Sequence, residues 1–288
     1  MRNKKYASRA LRLVHAFTYA LLCYTIFCYL VYAAPMLLVQ VFLQIIFESI
    51  PVSSSGHLML WQRLMGSAAA PLSSTCHYVL HGPTLLLLVC YFRAAWVPLL
   101  LHCWRYRCII VRMTAFCALT DTVSAILYTL AHHYGASFPL WAGFLVTMLA
   151  LFSLHSVERG HVVRRQATLR ELLIIGVVQG IAGLPGVSRL ATTYVAGRWL
   201  GLSAYKSFSV SCMVQWPLIA GGFMYGVWKE YGSQHCVDLL QGWMLLGLLG
   251  ATVVAYVLLW VVQGCMERNT LWRLSYYMLI PFVIALFL

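Results

Sequence analysis

The sequence predicts an all-α polytopic membrane protein, and three observations carry that prediction. Of its 288 residues, 62% are hydrophobic and only 9% are charged, and the mean hydropathy is +0.81. A soluble domain of this length needs more charge to cover its surface. The apolar runs are long and continuous rather than alternating, which favours helices, because backbone groups in hydrocarbon must be paired within the span.

Seven stretches are apolar enough to form membrane helices. They are Leu13–Ala34, Tyr78–Leu101, Thr114–Ala131, Pro139–Val157, Phe208–Trp228, Leu239–Val262 and Leu274–Leu288. Their ends are expected to shift by a few residues, because sequence marks helix boundaries weakly.

The basic residues cluster at the ends of these helices. The clusters lie at 2–5, 105–112, 159–170 and 268–273. With the N-terminus inside, alternate crossings return every cluster to the cytoplasm, as the positive-inside rule requires. The net charge of +13 forms no stripe on a soluble face. We therefore expect a cytoplasmic membrane protein that contacts anionic lipid headgroups and binds no nucleic acid.

The first 35 residues are predicted to lie outside the functional core. Basic residues, an apolar run and then Val31-Tyr32-Ala33 fit either an uncleaved helix or a signal peptide cut near Ala33. Residues 36–288 form the expected single membrane domain. The ten cysteines contain no CxxC pair, so we interpret them as small buried side chains rather than metal ligands or disulfides.

Two apolar stretches are interrupted by proline, glycine and serine. Residues 44–57 read QIIFESIPVSSSGH, and residues 179–193 read QGIAGLPGVSRLATT. Pro51 and Pro185 lack the amide hydrogen and disfavour helix at the preceding residue, so each helix should stop there. The serines that follow can cap a new helix.

These two interruptions predict a pair of re-entrant helix–loop–helix elements. Broken helices at membrane depth survive only when they are buried in protein or line a wet cavity. Their similar punctuation suggests an inverted repeat, with halves at about 36–157 and 158–288 and a site at the membrane midplane where the two elements meet.

Glu48 is the only carboxylate between Met1 and Thr120. It lies four residues after Gln44, and this spacing stacks both side chains on one helix face. A buried carboxylate is normally paired, neutralised or functional. One interpretation is a protonated Glu48 that forms a hydrogen bond with Gln44 and has a purely structural role in holding the helix. Another is a direct ion pair with Arg189.

The surroundings of Arg189 instead predict a phosphate site. Gly186 lets backbone approach a ligand, Ser188 offers a hydroxyl, and a helix N-terminus is expected there. The Arg189 guanidinium can bind phosphate through two parallel hydrogen bonds. Further donors are expected from Ser53, Ser54, Ser55 and Thr193.

A carboxylate, a serine, a histidine and an arginine together supply the roles of phosphoryl transfer. Arginine stabilises the phosphoryl charge, a hydroxyl or water attacks, and Glu48 or His57 moves protons or helps to hold Mg²⁺. His57 could equally be a capping or hydrogen-bonding residue. Ser53 and Ser55 are interpreted as caps or phosphate donors, and His81 is the other histidine that could reach the site.

These motifs resemble a known family. Gln44-x-x-x-Glu48 followed by PVSSSGH at 51–57 resembles the first signature of the undecaprenyl-diphosphate phosphatases, the integral membrane bacitracin-resistance proteins. PGVSR at 185–189, with Thr193, resembles their second signature. The resemblance covers about residues 36–288.

The resemblance implies hydrolysis of undecaprenyl diphosphate to the monophosphate, which recycles the lipid carrier for cell-wall synthesis. It implies a divalent cation, Mg²⁺ or Ca²⁺, held by Glu48 and Gln44, and a site that opens toward the periplasm of an inner membrane. By position, Glu48 is the essential acid, Ser54 the nucleophile, His57 a proton-transfer or metal-side residue and Arg189 the phosphate clamp. A homodimer is a further expectation.

Three departures from the family pattern stand out. Gln44 occupies a position where glutamate is common, so metal binding would rest on fewer charges. Leu190 and Ala191 replace the usual Ser-Gly, and the first 35 residues have no counterpart. The alternative function is a transporter or flippase for polyprenyl phosphate, since broken helices in inverted repeats are also typical of transporters.

Overall fold

The computed structural model describes residues 36–66, 74–94, 138–157, 169–231 and 242–288, with the single residues 118, 122, 126 and 129. Within these ranges every regular element is a helix. The predicted extra segment 1–35 lies outside the described residues, and so does nearly all of the predicted helix Thr114–Ala131.

The described helices follow the order that the apolar pattern predicts. They are α1 (Met36–Glu48), α2 (Ser54–Met65), α3 (Ser74–Val79), α4 (His81–Tyr91), α5 (Leu140–Val157), α6 (Leu169–Ile181), α7 (Arg189–Trp199), α8 (Ala204–Glu230), α9 (Gly242–Glu267) and α10 (Leu274–Leu286), with a 3₁₀ turn at Leu271–Arg273 before α10. The all-α prediction is confirmed.

Three of these helices are long and apolar enough to cross a membrane: Leu140–Val157, Ala204–Glu230 and Met244–Glu267. Their outer faces carry large apolar side chains in the open, such as Leu246 at 72% exposure and Trp228 at 70%. A polytopic membrane protein is the architecture that accommodates such faces, because lipid rather than water covers them.

The helix boundaries differ from the predicted ones for local reasons. The predicted span Phe208–Trp228 begins earlier, at Ala204, because the Ser203 side chain accepts a hydrogen bond from the Lys206 amide and caps the helix. The predicted span Leu239–Val262 continues to Glu267, where the Gln263 amide donates to the Glu267 carboxylate at 2.7 Å. The predicted span Tyr78–Leu101 includes the last two residues of α3 and all of α4, which are separated at Leu80.

Helix α5 packs against α2, α7 and α10, so it contacts the helix that follows each interrupted segment. Phe144 of α5, Tyr194 of α7 and Phe208 of α8 are fully buried in the core between them. Helix α1 packs on α2 and α9, while α8 packs on α3, α4 and α7. This arrangement brings the two interrupted segments together beside α5.

Glycines allow the backbones to touch at that point. A Cβ on Gly143 of α5 would lie 1.9 Å from the Pro185 carbonyl oxygen, and one on Gly56 would lie 2.8 Å from the Gly186 Cα. Gly186 itself has a φ of +82°, a conformation that side-chain-bearing residues rarely adopt. These close approaches fix the two loops against each other.

Candidate active site

The first interruption forms where Pro51 predicts it. Helix α1 ends at Glu48, and α2 begins at Ser54. Ser53 caps α2 with a φ of 70°, and its hydroxyl accepts a hydrogen bond from the Gly56 amide at 3.2 Å. Positive φ is uncommon for a residue other than glycine, so this turn is held in a strained conformation by its contacts.

The second interruption begins a few residues before the point that Pro185 predicts. Helix α6 ends at Ile181, and α7 begins at Arg189. Ser188 caps α7, and its hydroxyl accepts a hydrogen bond from the Ala191 amide at 3.2 Å. The N-terminus of α7 is thereby placed next to the Arg189 side chain, as the sequence predicts.

Both interruptions line one open cavity, which with the space at its mouth amounts to about 270 Å³. Its walls are formed by Phe47, Glu48, Ile50, Ser53, Ser54, Ser55, Val187, Ser188, Arg189, Leu190 and Gln215. The predicted meeting of the two segments is therefore observed. The inverted repeat and the position of the site at the membrane midplane stay predictions.

The Glu48 carboxylate is buried and accepts hydrogen bonds on both oxygens. Ser54 donates its hydroxyl to Oε2. Gln44 Nε2 donates to the same oxygen at 3.4 Å, and Gln215 Nε2 donates to Oε1 at 3.0 Å. Because Gln44 makes the longest of these contacts and Glu48 faces the cavity, Glu48 does more than bond Gln44 within its helix.

The Arg189 side chain is half-buried and faces the same cavity. It lies near enough to Glu48 to interact with the carboxylate electrostatically. In the part of the chain that the structure describes, its guanidinium makes no ion pair or hydrogen bond. The direct pair with Glu48 is thus not formed, and the guanidinium is available to an anion in the cavity.

His57 lies behind the cavity rather than in its wall. Its Nδ1 contacts the Ser53 carbonyl oxygen at 2.8 Å, and its Nε2 contacts the Tyr277 hydroxyl at 3.0 Å. Because a carbonyl only accepts, Nδ1 carries the proton and Nε2 accepts from Tyr277. The ring also packs against Phe47 and Phe144.

A family model described as "Bacitracin resistance protein BacA" matches residues 37–284 of the chain. The chain belongs to this family. The match includes both interrupted segments and every helix that the structure describes, from α1 to the greater part of α10.

Several relatives of this BacA-family chain carry the name undecaprenyl-diphosphatase. One from Thermodesulfovibrio yellowstonii is 25% identical over 239 residues, which cover 82% of this chain and 89% of the relative. One from Pelotomaculum thermopropionicum is 31% identical over 184 residues, or 62% and 69% of the two chains. One from an Anaeromyxobacter species is 29% identical over 255 residues, or 81% and 82%.

The other residues predicted for this BacA-family site are distributed around it. Ser53, Ser55 and Ser188 line the cavity. The Thr193 hydroxyl donates instead to the Arg189 carbonyl at 2.7 Å, within its own helix. Gly186 packs against the backbone of α5, where a Cβ on it would lie 2.7 Å from the Leu140 carbonyl oxygen. His81 is buried near Glu48, and its Nδ1 has no hydrogen-bond partner among the described residues.

Sequence reasoning missed three residues that shape the site. Gln215 contacts Glu48 from α8. Thr147 of α5 donates to the Gly186 carbonyl at 3.0 Å and accepts from the Ser188 amide at 2.9 Å. Tyr277 of α10 contacts His57. The only sequence signal was a polar side chain within an apolar span, which does not reveal its partner.

The side chains around Glu48 can be compared with the ligands that a divalent cation prefers. Among the residues that the structure describes, no group of three or more His, Cys, Asp and Glu could hold a metal. Mg²⁺ commonly uses only one or two carboxylates and completes its shell with water and substrate phosphates. Glu48 with nearby amide and hydroxyl oxygens fits that pattern for a hard cation.

Proposed function

We propose that this protein hydrolyses undecaprenyl diphosphate to undecaprenyl phosphate and inorganic phosphate, in keeping with the name of its family and of its relatives. This reaction recycles the lipid carrier for cell-wall synthesis and confers bacitracin resistance. The observation that carries the proposal is the shared cavity, in which a Ser54–Glu48 pair faces an Arg189 guanidinium with no partner among the described residues.

The second interrupted segment binds the diphosphate. The Arg189 fork and the N-terminus of α7 both attract phosphate oxygens. The Ser188 hydroxyl accepts from the Ala191 amide, so its own proton is available to a phosphate oxygen. This donor set is suited to the charge that develops on the transferred phosphoryl group.

The first interrupted segment supplies the group that attacks the terminal phosphorus. Glu48 accepts the Ser54 proton as Ser54 Oγ bonds to phosphorus. The bridging P–O bond breaks, and its electron pair leaves with undecaprenyl phosphate. Glu48 then gives that proton to the departing lipid phosphate. Water attacks the phosphoserine, Glu48 takes a proton from the water, and this proton passes to Ser54 Oγ as the bond between phosphorus and Oγ breaks and inorganic phosphate leaves. If water attacks directly, Glu48 serves as its base and Ser54 only positions it.

A divalent cation, Mg²⁺ or Ca²⁺, is part of the proposal. Glu48 and the side-chain oxygen of Gln44 would hold it beside the substrate. When bound, it would neutralise phosphate charge and so assist departure of the lipid phosphate. For His57, whose ring nitrogens contact Ser53 and Tyr277, we propose a supporting role in holding the start of α2.

The cellular setting is proposed from the sequence. The basic clusters at the helix ends support an inner-membrane protein with those loops in the cytoplasm, where anionic lipids would contact them. The site would open toward the periplasm. The homodimer stays a prediction.

The test is phosphate release from undecaprenyl diphosphate by the purified full chain in detergent, with Mg²⁺, with Ca²⁺ and with a chelator. Arg189→Lys should lower kcat about 100- to 1000-fold, because lysine lacks the planar fork. The matched control is Arg198→Lys. Arg198 belongs to the same helix but donates to the Leu202 carbonyl, which a lysine can also reach.

Failure of the wild type to release phosphate with any of these cations would overturn the proposal. The flippase alternative predicts movement of polyprenyl phosphate across liposomes without phosphate release. It is not favoured, because the relatives are named as diphosphatases.

A further inference from the structure

Gln215 reaches the cavity from outside the two interrupted segments. Among the described residues that line the cavity, the others lie in 47–55 or in 187–190. Gln215 belongs instead to α8, and only 5% of it is exposed. No signature in the sequence marks it.

The contact that Gln215 makes is with the second oxygen of the Glu48 carboxylate. Its Nε2 donates to Oε1 at 3.0 Å, while Ser54 donates to Oε2. The terminal torsion of a glutamate side chain is broad and roughly two-fold, so an unsupported carboxylate can turn. With a donor on each oxygen, the carboxylate cannot turn without breaking one of these bonds.

The position of Gln215 is fixed by the helix that leads into the second segment. Gln179 of α6 donates its side-chain amide to the Val214 carbonyl at 3.3 Å. Val214 and Val210 also pack with Ile175 of α6 in a small buried cluster. Helix α8 is therefore attached to α6, and Gln215 connects that part of the chain to the acid on α1.

We propose that Gln215 is a positioning residue of the active site, which holds the Glu48 carboxylate so that Oε2 stays aligned with the Ser54 hydroxyl. This inference rests on the proposed hydrolysis. Gln215 acts through Glu48 and not on the lipid, so its loss should lower kcat and leave KM within twofold of the wild type.

The test compares Gln215→Met with Ser211→Ala in the phosphate-release assay. Methionine keeps the length of the side chain but removes the donor, and we expect kcat to fall about 10- to 100-fold, the range for a hydrogen bond to a charged group. Ser211 is the matched control. It lies one turn earlier on α8, fully buried, and its hydroxyl has no hydrogen-bond partner among the described residues. Ser211→Ala should behave as the wild type.

Gln215→Glu provides a second variant if the methionine protein does not purify. It keeps the size of the side chain and places an acceptor against Glu48, so kcat should fall at least as far. Three results would overturn the inference while the proposed function stands: kcat within twofold in both variants, a raised KM at unchanged kcat, or equal losses in Gln215→Met and Ser211→Ala. A wild type that releases no phosphate would overturn both.

Discussion

The two interrupted segments differ in how far their polar groups are already paired. In the first, Glu48 accepts from Ser54, Gln44 and Gln215, and His57 is bonded at both ring nitrogens. In the second, the backbone is anchored by Thr147, whereas the Arg189 guanidinium faces the cavity with no partner among the described residues. The Glu48 carboxylate is therefore held in place by the protein itself, whereas the Arg189 guanidinium is available to bind an anion.

The largest effect is expected when the negative charge of Glu48 is removed from the first interrupted segment. Glu48→Gln keeps the shape but cannot accept the Ser54 proton, so kcat should fall about 10³- to 10⁴-fold, as for loss of a general base. Phosphate release at saturating substrate measures it.

The control for that change is Glu267→Gln, because Glu267 is exposed and accepts from Gln263 on α9. It should retain wild-type turnover. Turnover by Glu48→Gln within tenfold of the wild type would remove both the base and the metal-ligand roles from Glu48, and with them the contrast between the two segments.

The second expected effect concerns the contact that joins the segments to α5. A Cβ on Gly143 would lie 1.9 Å from the Pro185 carbonyl oxygen, so Gly143→Ala must displace the second loop. Overpacking of this kind costs about 1–3 kcal/mol. We expect a lower Tm in detergent and a loss of turnover as Arg189 shifts.

Gly221→Ala is its control, since a Cβ at Gly221 on α8 meets no atom of the described residues within 4 Å. It should leave Tm and turnover unchanged. If Gly143→Ala matched Gly221→Ala in both measurements, the second loop would have more freedom than its close contacts indicate.

The smallest effect is expected when the hydrogen bond between Tyr277 and His57 of the first interrupted segment is removed. Tyr277→Phe removes the hydroxyl that donates to His57 Nε2 and should cost about 1 kcal/mol, a few-fold in kcat. Tyr276→Phe is the control, because Tyr276 is 61% exposed on the same helix. If the two variants have the same kinetics, Tyr277 does not help to hold His57 for the reaction. A hundredfold loss in Tyr277→Phe alone would mean that the Tyr277–His57 pair takes part in the reaction.

Local chemistry explains why the sequence predicted much of this structure. Pro51 and Pro185 cannot continue a helix because they lack an amide hydrogen, and α1 and α6 end a few residues before them. Ser53 and Ser188 cap the next helices because their hydroxyls accept from backbone amides. Both effects act within a few residues. The family resemblance then assigned roles to Glu48, Ser54 and Arg189, which the structure places around one cavity.

The residues that sequence reasoning missed act over long distances in the chain. Gln215 contacts Glu48 across 167 positions, and Tyr277 contacts His57 across 220. A polar residue within an apolar span signals a buried partner but does not say which one. For His57, its place in the motif gave no sign that both ring nitrogens are bonded away from the cavity.

The seam between Gly56 and Gly186 has a mechanical consequence. A Cβ on Gly56 would lie 2.8 Å from the opposing backbone, so only hydrogen atoms fit between the two loops. At this contact neither loop can approach the other more closely without moving main chain. The distance between the two loops is therefore set here by main chain, whereas the shape of the cavity beside them also depends on side chains such as Phe47 and Arg189.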